Sequence, residues 1–388
     1  MATTPTHEII QLLGDLVALP SVNPYQDTGR TTVPYGEARV ADYVEHYFRS
    51  LGQRVERQPA LPGRDNVLVQ VPGRDASTPP LLLEAHMDTV EVEGMLAPFA
   101  PRLESGRMYG RGACDTKSSL AAMMWALRQV VEQGLPLSRG VCLVAAADEE
   151  FMQSGVLRLV ESGMRFSGAV VGEPTSLQVV PAHNGQLYFK VVAHGRAAHT
   201  SAPQHGVNAI YAMTDAIHAL RRGVASTYPF RHHPLCGTPQ LTVSVIRGGS
   251  SEHVVPDECE VVIDRRVIPG ENWHQALEEI QGWIDTYLDT DTAQRIEVQP
   301  PYKVALPVNT PPDHPLVQGL HRAVESVLGS AQIAGVPYNT DATHLAAAGV
   351  PAVVFGPGDI AQAHTVGEYV ELDQVVAAGE ILKRLLSP

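Results

Sequence analysis

Apolar residues recur at helical spacing over residues 6–19, in a segment that stops at Pro20, and again over 36–51, where Val40, Ala41, Val44 and Phe48 share one face. Beyond them, short apolar runs alternate with helical patterns: NVLVQV, PLLLEAH, a helix after Asp115 through SLAAMMWALRQVVEQG, VCLVAAAD, a helix over residues 154–162, and GAVVGE. The short runs read as buried strands. Their alternation with helices predicts an α/β layer on a mostly parallel sheet.

The rhythm changes after Glu173. A strand (QLYFKVVAH), a helix (GVNAIYAMTDAIHALRRG), two strands (LTVSVIRGG and VVPDECEVVIDRRV), a helix (NWHQALEEIQGWIDTYLDT) and a strand (RIEVQP) follow in order. This β-α-β-β-α-β succession predicts an inserted ferredoxin-like α+β unit. The α/β pattern then resumes with a helix in HPLVQGLHRAVESVLG, the apolar run GVPAVVFGPG and a closing helix over residues 373–386. The expected organisation is a catalytic domain in two pieces, 1–183 and 300–388, interrupted by an inserted domain at 184–299. The Pro/Gly-rich stretch over 300–315 reads as the return linker.

At 388 residues, two compact units are the default. The net charge of −14 comes without a basic stripe, which argues against nucleic acid and anionic membranes as partners. Cys114, Cys142, Cys236 and Cys259 show no metal-knuckle or CxxC spacing and read as reduced thiols. The N-terminal segment is amphipathic and acidic, and no apolar stretch reaches membrane-spanning length, so a cytoplasmic protein is expected.

The chemistry is concentrated where apolar runs end. In LLLEAHMDTV, His86 and Asp88 follow a strand with one residue between them, so both point the same way. One can bind a metal while the other orients it; a surface histidine beside a turn aspartate is the plain alternative. Asp115 follows a glycine-rich turn and precedes a helix, which suits either an N-cap or a carboxylate shared between two cations, with Lys117 as a local charge partner. Asp148, Glu149 and Glu150 end VCLVAAAD, and such like charges at a strand end call for a cation or proton unless the loop is simply solvated. Of the two glutamates, one can hold metal while the other serves as general base. Glu173 ends GAVVGE, and His364 follows a glycine turn, where it reads as a ligand or as polar surface. Mixed imidazole and carboxylate donors suit zinc, with cobalt or manganese as substitutes.

With these residues in place, the chain resembles the M20 peptidase family of dinuclear metallohydrolases over essentially its whole length. The resemblance implies His86 and Glu173 on one metal, Glu150 and His364 on the other, and Asp115 bridging two Zn2+ per chain. It further implies that Asp88 orients His86, that Glu149 is the general base and acid, and that the Asp115–Thr116 peptide is cis. In GRAAHTSAPQHGVNAI, His199 matches a lid histidine that holds the substrate carbonyl oxygen, often across a homodimer. Cys114 reads as a packed thiol, which the family does not require.

Arg266, in the Asp264-x-Arg266 pair, matches a strand position presenting a guanidinium to a substrate carboxylate, while Arg265 points to the other face. A solvated strand arginine is the alternative. Asn339 and Thr340 lie in a substrate-side loop, where Tyr338-Asn339-Thr340-Asp341 departs from the Gly-Gly-Thr-Asp of many peptidase-like members. That departure argues against a carboxypeptidase G or desuccinylase, while GPG, Gln362-Ala363-His364 and Glu368-Tyr369 look closest to the acetylornithine deacetylase branch of the acetylornithine deacetylase / succinyl-diaminopimelate desuccinylase group. The expected activity is hydrolysis of a small N-acyl amino acid. A dipeptidase or carboxypeptidase, a desuccinylase and an inactive binding relative are the alternatives.

Overall fold

The computed structural model describes residues 5–24 and 35–387. The chain divides into two compact units: the first runs to Pro181 and resumes over Thr310–Ala334 and from Thr340, while the second comprises Ala182–Asn309 and Gly335–Asn339.

In the first unit, Leu81–His86, Val141–Ala146, Gly168–Val171 and Ala352–Val354 are mutually parallel and buried along their whole length. Full burial explains their largely apolar runs, interrupted only by Glu84 and the terminal His86, since a parallel sheet is covered on both faces. The sheet is mixed at its margins. Arg64–Val71 joins Val141–Ala146 antiparallel, Arg54–Leu61 folds back on Arg64–Val71 as a hairpin, and Val180 pairs antiparallel with Val354. Arg54–Leu61 was not foreseen from sequence, because this margin strand is mostly polar and only Val55 and Gln58 are buried.

Leu81, Leu83 and Ala85 point into a core that also contains Leu13 and Leu16 of helix Pro5–Val17, Val44 and Phe48 of Ala38–Ser50, Leu120 and Met124 of Lys117–Glu132, and Ile381 of Leu372–Leu386. Leu82, Glu84 and His86 alternate to the opposite face and are equally buried. Helix Lys117–Glu132 is buried on nearly every side, so its run reads as apolar rather than amphipathic.

The second unit has an antiparallel sheet in the order Gln240–Gly248, Glu258–Val267, Gly185–His194, Ile296–Val298. With helices Ala209–Thr227 and Trp273–Tyr287 as its crossovers, this is the ferredoxin-like arrangement. Residues 300–309 are not a bare linker: Lys303–Ala305 adds to Gly185–His194 through Tyr188, Leu187 and Gln186. No helix among the described residues is long and apolar enough to cross a membrane.

Candidate metal centre

Parallel strands deliver their carboxyl ends to one edge of a sheet, and here three adjacent ones carry His86, the Asp148-Glu149-Glu150 turn and Glu173 to that edge. Backbone bonds lock the alignment, with Met87 N–H donating to Ala146 O and Gly172 N–H to Glu84 O. Asp115 enters just before the helix Lys117–Glu132 and is joined to Thr116 by a cis peptide. The helix cap residue is Thr116, so the N-cap alternative for Asp115 does not hold. Its carboxylate instead faces both imidazoles: Oδ1 lies 3.1 Å from His86 Nε2 and Oδ2 lies 3.2 Å from His364 Nε2. His364 Nε2 is also 3.2 Å from Glu150 Oε2, and Glu173 Oε1 is 3.8 Å from His86 Nε2.

The ring of His86 is oriented from behind. Nδ1 lies 3.0 Å from the Asp88 carbonyl oxygen, which can only accept, so Nδ1 carries a proton. In a ring neutral on that tautomer, Nε2 is the atom whose lone pair would take a cation at the centre. The Asp88 carboxylate also organises the turn beside it. Its Oδ1 accepts from Glu149 N–H and its Oδ2 from Glu150 N–H, both at 3.1 Å, and Asn23 Nδ2 donates to the same Oδ2 at 2.8 Å. Asn23 also donates to Asp148 Oδ1, which meets Arg64 Nη1 at 3.0 Å. Asp148 thus belongs to a buried structural network, and its left-handed backbone (φ 70°) turns the chain so that Glu149 and Glu150 N–H reach Asp88.

Donor atoms of His86, Asp115 and Glu150 lie within 4.8 Å of one another, as do those of His86, Glu149 and Glu173. The electrostatics ask for positive charge. Burial pushes the Glu149, Glu150 and Glu173 carboxyls up, and neighbouring carboxylates add to the effect. Burial disfavours charge on His86 too, yet the Asp115 and Asp88 carboxylates hold it well above the usual imidazole range. The donor set, two imidazoles among buried carboxylates, fits divalent cations of the zinc class.

Two further buried acids lie behind these residues. Burial pushes Glu84 up to about 8 and Asp341 well above the carboxylate range. The two carboxyls bear on each other, and among the described residues neither Asp341 oxygen nor Glu84 Oε1 has a hydrogen-bond partner. Sequence reasoning missed this pair, along with Asn23 and Arg111, because nothing in their local patterns marks them. Lys117 is not a partner of Asp115: its Nζ donates to Leu19 O at 2.7 Å and sits 5.7 Å from the Phe99 ring centre. Cys114 is a buried thiol, 3.4 Å from Asp359 O.

Thr340 belongs to the first unit, where it is buried and its hydroxyl accepts from Ala342 N–H at the start of helix Ala342–Ala347. His199, Arg266 and Asn339 belong to the second. His199 is exposed, and its Nδ1 accepts from Ser201 N–H at 3.1 Å. A backbone N–H can only donate, so the neutral ring keeps its proton on Nε2. Arg266 is ion-paired to Asp264 at 2.9 Å, whereas Arg265 points to the opposite face and is fully buried against Glu271 and the Tyr228 ring.

Solved structures share this architecture at low identity. Aminopeptidase PepT from Bacillus cereus superposes with a TM-score of 0.79 at 18% identity, covering 98% of each chain. A tripeptidase from Staphylococcus aureus gives 0.79 at 19% identity, again over 98% of each chain. The Bacillus subtilis YXEP protein, described as a dinuclear metal binding peptidase from the M20 family, gives 0.73 at 16% identity over 99% of this chain and 98% of its own. At the sequence level, residues 82–387 match Peptidase family M20/M25/M40. That span holds every strand-end residue of the centre, and the chain belongs to peptidase family M20/M25/M40.

Proposed function

We propose that this chain is a two-metal amidohydrolase acting on a small N-acyl amino acid, with N-acetylornithine or a close analogue as the first candidate. In this reading His86 and Glu173 hold one cation, Glu150 and His364 the other, and Asp115 bridges, with zinc preferred and cobalt or manganese as substitutes. The observation that carries it is the Asp115 carboxylate, each of whose oxygens faces a different imidazole at 3.1 and 3.2 Å.

Bound there, a cation pair supplies polarisation of the scissile carbonyl and a water acidified towards neutral pH. Glu149 receives the proton of the attacking water on a carboxylate oxygen and returns it to the departing amine nitrogen. Its raised proton affinity, caused first by burial, suits a group that must hold that proton between the two steps. Asp88 keeps Glu149 in place through the backbone N–H. His199, with Nε2–H free of the Ser201 contacts, is the donor for the developing oxyanion. Arg266 is proposed to hold the substrate carboxylate after leaving Asp264, and Asn339 and Thr340 to line the substrate loop. A homodimer in which His199 serves the partner's site completes the proposal.

A second reading, cleavage of di- or tripeptides by the same centre, is supported by the similar structures described as a tripeptidase and as human carnosine dipeptidase 1. One experiment separates the two. The protein is stripped with chelator and reloaded with zinc, and amine release is measured from N-acetyl-L-ornithine, other N-acyl amino acids, and di- and tripeptides. Zinc-restored turnover highest on acetylornithine supports the deacetylase reading, and preference for peptides replaces it with the second. No turnover on any substrate, with two metals bound per chain, refutes both substrate classes.

A further inference from the structure

We infer that Arg111 and Glu368 form a clasp that positions the ligands of the metal centre by tying three of its loops together; this rests on the two-cation reading above. Glu368 is 1% exposed, and its carboxylate is saturated by donors from one loop. Oε1 accepts from Cys114 N–H at 2.9 Å and Asp115 N–H at 3.1 Å, while Oε2 accepts from Gly112 N–H at 3.1 Å and Arg111 Nη1 at 2.6 Å. Three bonds from main chain, at Gly112, Cys114 and Asp115, fix the path of the turn that ends at Asp115.

Glu368 itself lies four residues beyond His364, and the following strand Tyr369–Glu371 pairs antiparallel with Arg107–Tyr109. Gly110 N–H closes the junction by donating to Glu368 O. The two loops that deliver the Asp115 and His364 side chains are therefore joined through one carboxylate. Arg111 extends the tie to a third loop, since Nε and Nη2 donate to Glu91 O at 3.1 and 2.8 Å, three residues after Asp88. In these contacts Arg111 and Glu368 meet main chain and each other, including the main chain of Asp115. Both act through the residues they hold.

This arrangement has a reason in physics. His86, Asp115 and His364 are far apart in sequence, and a bridging carboxylate is useful only when its two oxygens meet two ligand sets within a few tenths of an ångström. A buried carboxylate accepting several charge-assisted and backbone bonds is stiff, because each lost bond leaves a buried donor without an acceptor.

The test uses the full-length protein with Co2+ as probe. Glu368→Gln, Glu368→Ala and Arg111→Lys are compared with wild type by calorimetric titration, by the visible Co2+ absorption spectrum and by kcat and KM on the best substrate. Circular dichroism and Tm report whether each variant folds. Folded Glu368→Gln and Arg111→Lys are expected to bind at least one cobalt ion about 10- to 100-fold more weakly. An altered cobalt spectrum and a kcat reduced more than KM is changed should accompany the loss. If folded variants bind two cobalt ions with wild-type affinity and spectrum, and only Tm falls, Arg111 and Glu368 are structural alone and the inference is overturned. If the wild type binds no cobalt, the two-cation reading fails first and takes the clasp with it.

Discussion

Glu149 and Asp115 lie at the same centre, the proposed mechanism gives them different work, and single substitutions should separate them. Asp115 touches both imidazoles, so Asp115→Ala is expected to lose metal, read as fewer than two ions per chain by elemental analysis. Glu149→Ala should keep both ions and lose about 10²- to 10⁴-fold in kcat, the usual range for a general base. Full activity in a metal-replete Glu149→Ala protein would remove Glu149 from the mechanism. A buried histidine outside the centre is expected to contribute to acid lability. His183 is fully buried with Nδ1 2.9 Å from Asn184 O, and burial lowers its pKa to about 4 from the ordinary 6.5. The unfolded chain therefore binds the proton first as pH falls. Stability from keeping this ring neutral is complete above about pH 6.5 and is lost between 6.5 and 4, to a total on the order of 3 kcal/mol. Denaturant melts of wild type and His183→Gln at pH 7 and pH 5 should show a smaller acid-side loss in the variant.

Among the elements, burial on both faces is what made the central strands legible. LLLEAH and VCLVAA are largely apolar, with Glu84 and His86 their only ionisable side chains, because no residue in them is exposed. Arg54–Leu61 and the three-residue strands Arg102–Glu104, Arg107–Tyr109 and Tyr369–Glu371 carry mixed residues, and only their partners define them. Helix packing in the second unit depends on a small residue that no periodicity reveals. A Cβ on Gly223 of Ala209–Thr227 would come within 2.0–2.5 Å of the Trp283 ring on Trp273–Tyr287. Gly223→Ala should thus destabilise by about 1–3 kcal/mol despite its better helix propensity, seen as a lower urea midpoint. An unchanged or higher midpoint would mean that Trp283 moves aside at no cost.

At the scale of the whole molecule, the two units present different surfaces. Strand Gln240–Gly248 forms one margin of the second unit's sheet, and its Ile246 is 55% exposed. A long open edge of this kind is a template for another chain. If the proposed homodimer uses it, Ile246→Lys should shift the sedimentation coefficient towards that of a monomer and lower specific activity together. A monomeric wild type with full activity would refute completion of the site by a partner.

Hydrophobic periodicity determined the α/β character of the first unit and the β-α-β-β-α-β order of the second, because burial on one face or two is written directly into residue spacing. The acids and histidines at the ends of apolar runs were visible for the same reason. Tertiary structure alone decided that Asp115 faces two imidazoles rather than capping its helix, that Asp148 belongs with Arg64 and Asn23, and that Glu368 closes on the Asp115 turn. Those choices are made between residues distant in sequence. Local pattern carries no information about which buried polar group will satisfy which other, and only the folded chain brings the partners within bonding distance.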